Sequence, residues 1–120
     1  MTASAKTSSF RAALIQMRSA RAPQANVDAA AKLIGEAKKA GADYVLTPEM
    51  TNVMEVRRKA LFTSIVAEED DTSLATFREL ARDLGIFLHV GSLAVRVSHD
   101  KAANRSFLID RKGEIVARYD

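Results

Sequence analysis

The apolar positions of this chain change period along its length. Phe10-Arg11-Ala12-Ala13-Leu14-Ile15-Gln16-Met17 is a mostly apolar run between polar stretches, as expected for a strand covered on both faces. Val27, Ala30, Ile34 and Ala37 then recur three and four apart, with Leu33 widening the stripe, which predicts a helix from about Pro23 to Ala40. Proline is tolerated in a first turn, Lys38 and Lys39 complement the negative end of the helix dipole, and Gly41 is free to take the left-handed conformation that ends it. Asp43 to Thr47 supplies a second strand.

Thr51 to Glu69 carries a weaker pattern, in which Met54, Ala60, Leu61 and Ile65 suggest a short helix after a loop without fixing its ends. Leu74, Phe77, Ala81 and Leu84 mark one face of a second helix from about Thr72 to Leu84, capped by Asp71 or Thr72 and stopped by Gly85. Ile86 to Val90 reads as a third strand that continues, past the small-residue bend Gly91-Ser92, from Leu93 to Val97. Ser98-His99-Asp100-Lys101 is a polar turn. Phe107-Leu108-Ile109 and Ile115-Val116-Ala117 flank Asp110-Arg111-Lys112-Gly113, the signature of an antiparallel hairpin. This order predicts an α/β fold with helices on one face of a mixed sheet that begins parallel and finishes antiparallel. Residues 1–9, small and hydroxylated, read as a flexible tail, and residues 10–120 as one folded segment.

Composition narrows the class. The 120 residues are 48% hydrophobic and 28% charged, a globular balance that excludes a disordered or collagen-like chain. No apolar run approaches the roughly 18 residues of a membrane-spanning helix, so no membrane partner is expected. Eighteen basic against 15 acidic residues leave a net charge of +3, too small and dispersed to imply nucleic acid; the Arg57-Arg58-Lys59 cluster reads as a solvated face. Cysteine is absent, which removes disulfides, thiolate metal sites and a cysteine nucleophile from these residues and suits a cytoplasmic setting. Lys6, Arg11, Arg18 and Arg21 precede any acidic residue, superficially like a transit peptide, but Ala12 to Ile15 is too short for a secretory core and serves better as strand.

Candidate chemistry centres on Gly41-Ala42-Asp43-Tyr44-Val45-Leu46-Thr47-Pro48-Glu49-Met50. Ligands of open α/β sheets bind outside the carboxyl ends of the strands, and Pro48 cannot continue a central ladder, so this stretch delivers Glu49 to a loop where a catalytic acid or base belongs. The plainer alternative is a solvated turn carboxylate. Asp43 lies at the wrong end of the same strand and reads as a turn residue. His89 alternates within an apolar strand and reads as a structural histidine, whereas His99 is a turn residue. Met50, Asn52 and Met54 follow Glu49 as candidate pocket residues, with core packing an equal explanation for the methionines. Phosphate loops, paired metal-spaced histidines and a Gly-x-Ser-x-Gly elbow are missing from the sequence.

Ala-Asp-Tyr-Val-Leu-Thr-Pro-Glu after the helix, Gly91-Ser92 in the third strand, Asn104-Arg105-Ser106-Phe107-Leu108-Ile109-Asp110, Gly113, and the closing Tyr119-Asp120 together resemble the nitrilase superfamily, the carbon-nitrogen hydrolases. The likeness runs from Phe10 to Asp120 and implies the N-terminal part of an α-β-β-α sandwich. It implies that Glu49 is the general base of a Glu-Lys-Cys triad that cleaves non-peptide C–N bonds of small amides or nitriles, without metal or organic cofactor. The family lysine follows a Tyr-x-Lys motif and the cysteine comes later; neither is present here, and Lys101 and Lys112 match no catalytic position.

The resemblance therefore predicts an N-terminal segment of a hydrolase that is inactive alone. The alternative is a truncated, inactive homologue serving as a binding or assembly module. Either way, open sheet edges and apolar surface predict self-association into a homo-oligomer. A receiver-like signalling domain fits poorly, since the first strand lacks an acidic cluster and the third lacks a phospho-acceptor.

Overall fold

The computed structural model describes residues 8–120; the tail expected over residues 1–9 lies outside the described residues as far as Thr7. The strands are β1 (Ala12–Leu14), β2 (Tyr44–Leu46), β3 (Phe87–Arg96), β4 (Ala102–Ile109) and β5 (Ile115–Tyr119), and the helices α1 (Pro23–Lys39), α2 (Arg58–Ser64) and α3 (Thr72–Leu84), with a 3₁₀ turn at Glu68–Asp70. Among the described residues the strands form one sheet in the order β1-β2-β3-β4-β5. β1, β2 and β3 run parallel, while β4 and β5 return antiparallel, as the element order predicts.

The two long helices form where their signals point. Pro23 opens α1, and Val27, Ala30 and Ile34 are its buried stripe. In α3 the Asp71 side chain accepts the Leu74 N–H at 3.0 Å, and Gly85 ends the helix at φ 63°. Both helices bury their stripes in one cluster with Val45, Leu88, Val90, Leu93, Phe107 and Ile109, so one face of the sheet carries the core. A smaller cluster of Val53, Ile65 and Ala94, with Met50 and Leu61 against it, seats the loop after β2 and α2 on the far half of β3.

The opposite face of the sheet carries the register row Leu14, Leu46, His89 and Leu108 and is only partly covered. This corrects the expectation for the first strand. It is three residues long, and Leu14 is 75% exposed because helices pack on one side alone; Ala13, Ile15 and Met17 of this run turn toward the core.

Candidate active site

Glu49 follows β2 in a turn whose backbone is tied down on both sides. The Thr47 N–H donates to the His89 carbonyl at 3.0 Å and Ser92 N–H to the Pro48 carbonyl at 3.3 Å. Beyond Glu49, Met50 N–H donates to Ser92 Oγ at 2.8 Å and Thr51 N–H to the Ser92 carbonyl at 2.9 Å. These bonds hold Met50 at φ 53°, a left-handed conformation that costs a non-glycine residue on the order of 1 kcal/mol. The hydroxyls form a directed chain. Gly91 N–H donates to Thr47 Oγ1 at 3.1 Å, and Thr51 Oγ1 donates to the Pro48 carbonyl at 2.5 Å, which leaves Thr47 as donor to Thr51 across 2.9 Å.

The bend at Gly91-Ser92 is where β3 meets this turn. Its register against β4 shifts between Val90 and Leu93, a bulge that frees the Ser92 N–H and C=O for the Glu49 turn. A Cβ on Gly91 would lie 2.2 Å from the Thr47 carbonyl oxygen, so the close approach expected at this bend is made by backbone. Glu49 itself is exposed, and its Oε1 accepts Asn104 Nδ2–H at 2.8 Å. A cleft of about 280 Å³ lies over the pair, walled by Gly91, Ser92 and Ser106 and by Tyr119 and Asp120. Arg105 grips Asp120 through Nε at 2.6 Å and Nη2 at 3.0 Å. It also reaches Glu68 at 3.2 Å, which Arg118 holds in turn at 2.8 Å. The Arg118 and Arg105 guanidiniums keep the Glu68 carboxyl below its ordinary range.

A wider hollow of about 420 Å³ lies between α2 and the β3–β4 turn, lined by Arg58, Phe62, Arg96 and His99. Its two arginines are spent on structure: Arg58 donates to the Asp100 carbonyl, Arg96 to the His99 carbonyl at 3.0 Å, and both stack on Phe62. The Glu49 cleft is therefore the better candidate for chemistry, despite its smaller volume.

His89 has the structural role expected of it. Ser106 Oγ donates to the Val90 carbonyl at 3.2 Å and so accepts His89 Nε2–H at 3.0 Å. Nδ1 is then left to accept the Tyr44 hydroxyl. Burial lowers the pKa of His89, which favours this neutral tautomer. Asp43 is a turn residue as predicted, accepting Arg11 N–H at 2.9 Å, and His99 is exposed.

Asn52 is not a pocket residue. It is buried, and its amide pairs with both backbone groups of Ala94 at 2.9 Å. Met50 packs in the smaller cluster and Met54 is 46% exposed.

Two polar anchors behind the turn carried no sequence signal. Asn26 is buried and ties the Ala20 backbone, at 2.7 Å, to the Asn52 carbonyl, at 2.9 Å. The Glu55 side chain is 3% exposed, accepts from Arg57 Nε at 3.0 Å and forms an ion pair with Arg21, whose Nε lies 3.3 Å away. Hydrogen bonds from Arg57 hold its carboxyl down at about 2. Arg57 is thus exposed, as read from its cluster, but paired.

The carbon-nitrogen hydrolase family model matches residues 11–120. Over 83 residues the chain is 35% identical to the deaminated glutathione amidase of Yersinia enterocolitica, covering 67% of this chain and 28% of that protein. An amidase from Nesterenkonia sp. superposes with a TM-score of 0.77 at 31% identity, over 92% of this chain and 41% of the amidase. The C. elegans NitFhit protein superposes with a TM-score of 0.81 at 26% identity, over 92% of this chain and 27% of its own. The chain spans between 27% and 41% of the length of these relatives. Among the described residues no helix is long and apolar enough to cross a membrane, and no group of three or more His, Cys, Asp and Glu residues is placed to hold a metal ion. Matched by one family model from residue 11 onward and folded like its amidases, the chain belongs to the carbon-nitrogen hydrolase family.

Proposed function

We propose that this chain supplies the general base and part of the pocket wall of an amide-cleaving hydrolase, with Glu49 as the base. The lysine and cysteine of the triad come from outside these 120 residues, which hold no cysteine. The observation that carries this reading is the Glu49 carboxylate at the carboxyl end of β2, on a turn fixed to β3 and facing a cleft. The names of the relatives favour amides over nitriles as substrate. One form of the Nesterenkonia sp. AN1 amidase has acrylamide added at its active-site cysteine.

In this mechanism Glu49 takes the thiol proton as sulfur attacks the amide carbon, and the lysine balances the negative charge that develops on oxygen. The proton passes from Glu49 to the departing nitrogen, which leaves as ammonia or an amine. Glu49 then takes a proton from water, whose oxygen attacks the thioester, and returns it to sulfur as the acid is released.

Glu49→Gln keeps the size of the side chain and removes its basicity. In the protein that contains the complete triad, turnover is expected to fall by on the order of a hundredfold or more with the fold intact; undiminished turnover would sink the assignment. A second reading, a binding or assembly module, draws on the half-covered sheet face, where Phe10, Leu14 and Tyr119 are 70%, 75% and 79% exposed. The same variant separates the two, because association through apolar surface is indifferent to an amide at position 49.

A further inference from the structure

We infer that Asn104 is a positioning residue that fixes the Glu49 carboxylate by donating one hydrogen bond to one of its two oxygens. The inference rests on the reading of Glu49 as base and adds a residue to its machinery. An ionised carboxylate offers only acceptors, so the Asn104 amide must turn its nitrogen toward Oε1, and the 2.8 Å separation is that of a charge-assisted bond. Oε2 keeps its lone pairs. A base needs one free oxygen in a fixed direction; a glutamate side chain on an exposed turn, with three rotatable bonds, does not hold that direction unaided.

Asn104 is well placed to supply the constraint because its own backbone is held. It lies on β4 in register with Ala94 of β3, and Ala94 is in turn locked by both bonds to the Asn52 side chain. The next residue, Arg105, binds the Asp120 carboxylate with a two-toothed grip and reaches Glu68. The strand that presents Asn104 is therefore pinned on both sides of the cleft. The turn that presents Glu49 hangs from the same β3, through Ser92. Base and positioning amide thus share one rigid frame, although they stand 55 residues apart in sequence.

The test is a double-mutant cycle in the protein with its complete triad, using butyramide as probe and ammonia release as readout. Asn104→Ala is expected to lower kcat by about tenfold with KM changed less than about twofold, because orientation is lost rather than binding. In the Glu49→Gln background the same substitution should change turnover by less than about twofold, because the group it positions is already disabled. Asn104→Asp keeps the shape and places a like charge against Glu49, which should move the acid limb of the kcat/KM profile to higher pH.

Asn104 is exposed and its side chain is bonded to Glu49, so both variants should fold, with unchanged melting temperature as the check. Equal losses from Asn104→Ala in the two backgrounds, or an unmoved acid limb in Asn104→Asp, would overturn the inference. A Glu49→Gln enzyme of full turnover would instead remove the base assignment on which it stands, a result separable from an additive cycle.

Discussion

Gly91→Ala perturbs the Glu49 turn without touching a charge. The added Cβ would stand 2.2 Å from the Thr47 carbonyl oxygen and 2.7 Å from both the carbon and the oxygen of the Pro48 carbonyl. All three are backbone atoms, so no side-chain rotation relieves the overlap. Ordinary contact begins at 3.4 Å, and 3.4 minus 2.2 means that turn and strand must separate by about 1.2 Å. That separation stretches the 3.3 Å bond from Ser92 N–H to the Pro48 carbonyl beyond use and weakens the 3.1 Å bond from Gly91 N–H to Thr47. Overpacking combined with weakened buried hydrogen bonds is worth about 2–3 kcal/mol of lost stability.

The sign of the effect is diagnostic. Alanine in place of glycine at an unobstructed position with compatible backbone stabilises by about 0.4–1 kcal/mol through the unfolded chain. Gly35, on α1 with nothing within 4 Å of a Cβ, is the internal control. Urea denaturation should move in opposite directions for Gly91→Ala and Gly35→Ala, and amide exchange at Met50 and Thr51, whose N–H groups bond Ser92, should quicken in the first alone. Turnover of the complete enzyme should fall about a hundredfold, the cost of a 1 Å misplacement of a catalytic group. A Gly91→Ala protein as stable as its parent, with unchanged exchange at Thr51, would refute the close approach of β3 to the turn.

Two further outcomes test the frame around the site. Asp71→Ala removes the cap that accepts Leu74 N–H and should lower stability by about 1 kcal/mol in urea, whereas Asp71→Asn should retain most of it. Glu55 titrates at about 2 in the fold against an ordinary 4.5, so the unfolded chain takes its proton first. Its contribution is present above about pH 4.5 and lost as pH falls toward 2; Glu55→Gln should flatten that part of the stability curve, and an identical acid limb in the variant would contradict the pairing with Arg57 and Arg21.

The legible parts of the fold were those written in local pattern. α1 and α3 follow from apolar spacing, a first-turn proline, an Asp cap and two C-terminal glycines, signals that lie within one element and survive packing. The hairpin was announced by Gly113, whose φ of 81° is what its turn requires. β1 failed at its outer face because a run such as Ala12 to Ile15 does not say whether one face or two will be covered. Glu49 could be singled out because Pro48 ends a strand directly before it. Its partner could not, since a hydrogen bond to Asn104 depends on the register of β3 against β4. Asn26 and Asn52 were illegible for the same reason: each is a polar side chain whose burial is compensated by backbone groups that the fold brings to it. Glu55 has its main partner, Arg57, two residues away, but its burial depends on the fold and carries no local pattern.

The bulge in β3 joins the core to the site. Strict alternation from Leu88 and Val90 would turn Ser92 toward the helices and Leu93 away from them. The register shift between Val90 and Leu93 instead returns Leu93 and Val95 to the cluster under α1 and α3. The same irregularity leaves Gly91 and Ser92 without ordinary ladder partners, and their free groups are those that bind the Glu49 turn. Removing the bulge to regularise β3 would expose two core residues and release the turn together. The carboxylate proposed as the base is therefore held by the same device that completes the hydrophobic core, and substitutions at Leu93, which touch neither cleft nor charge, should disturb both.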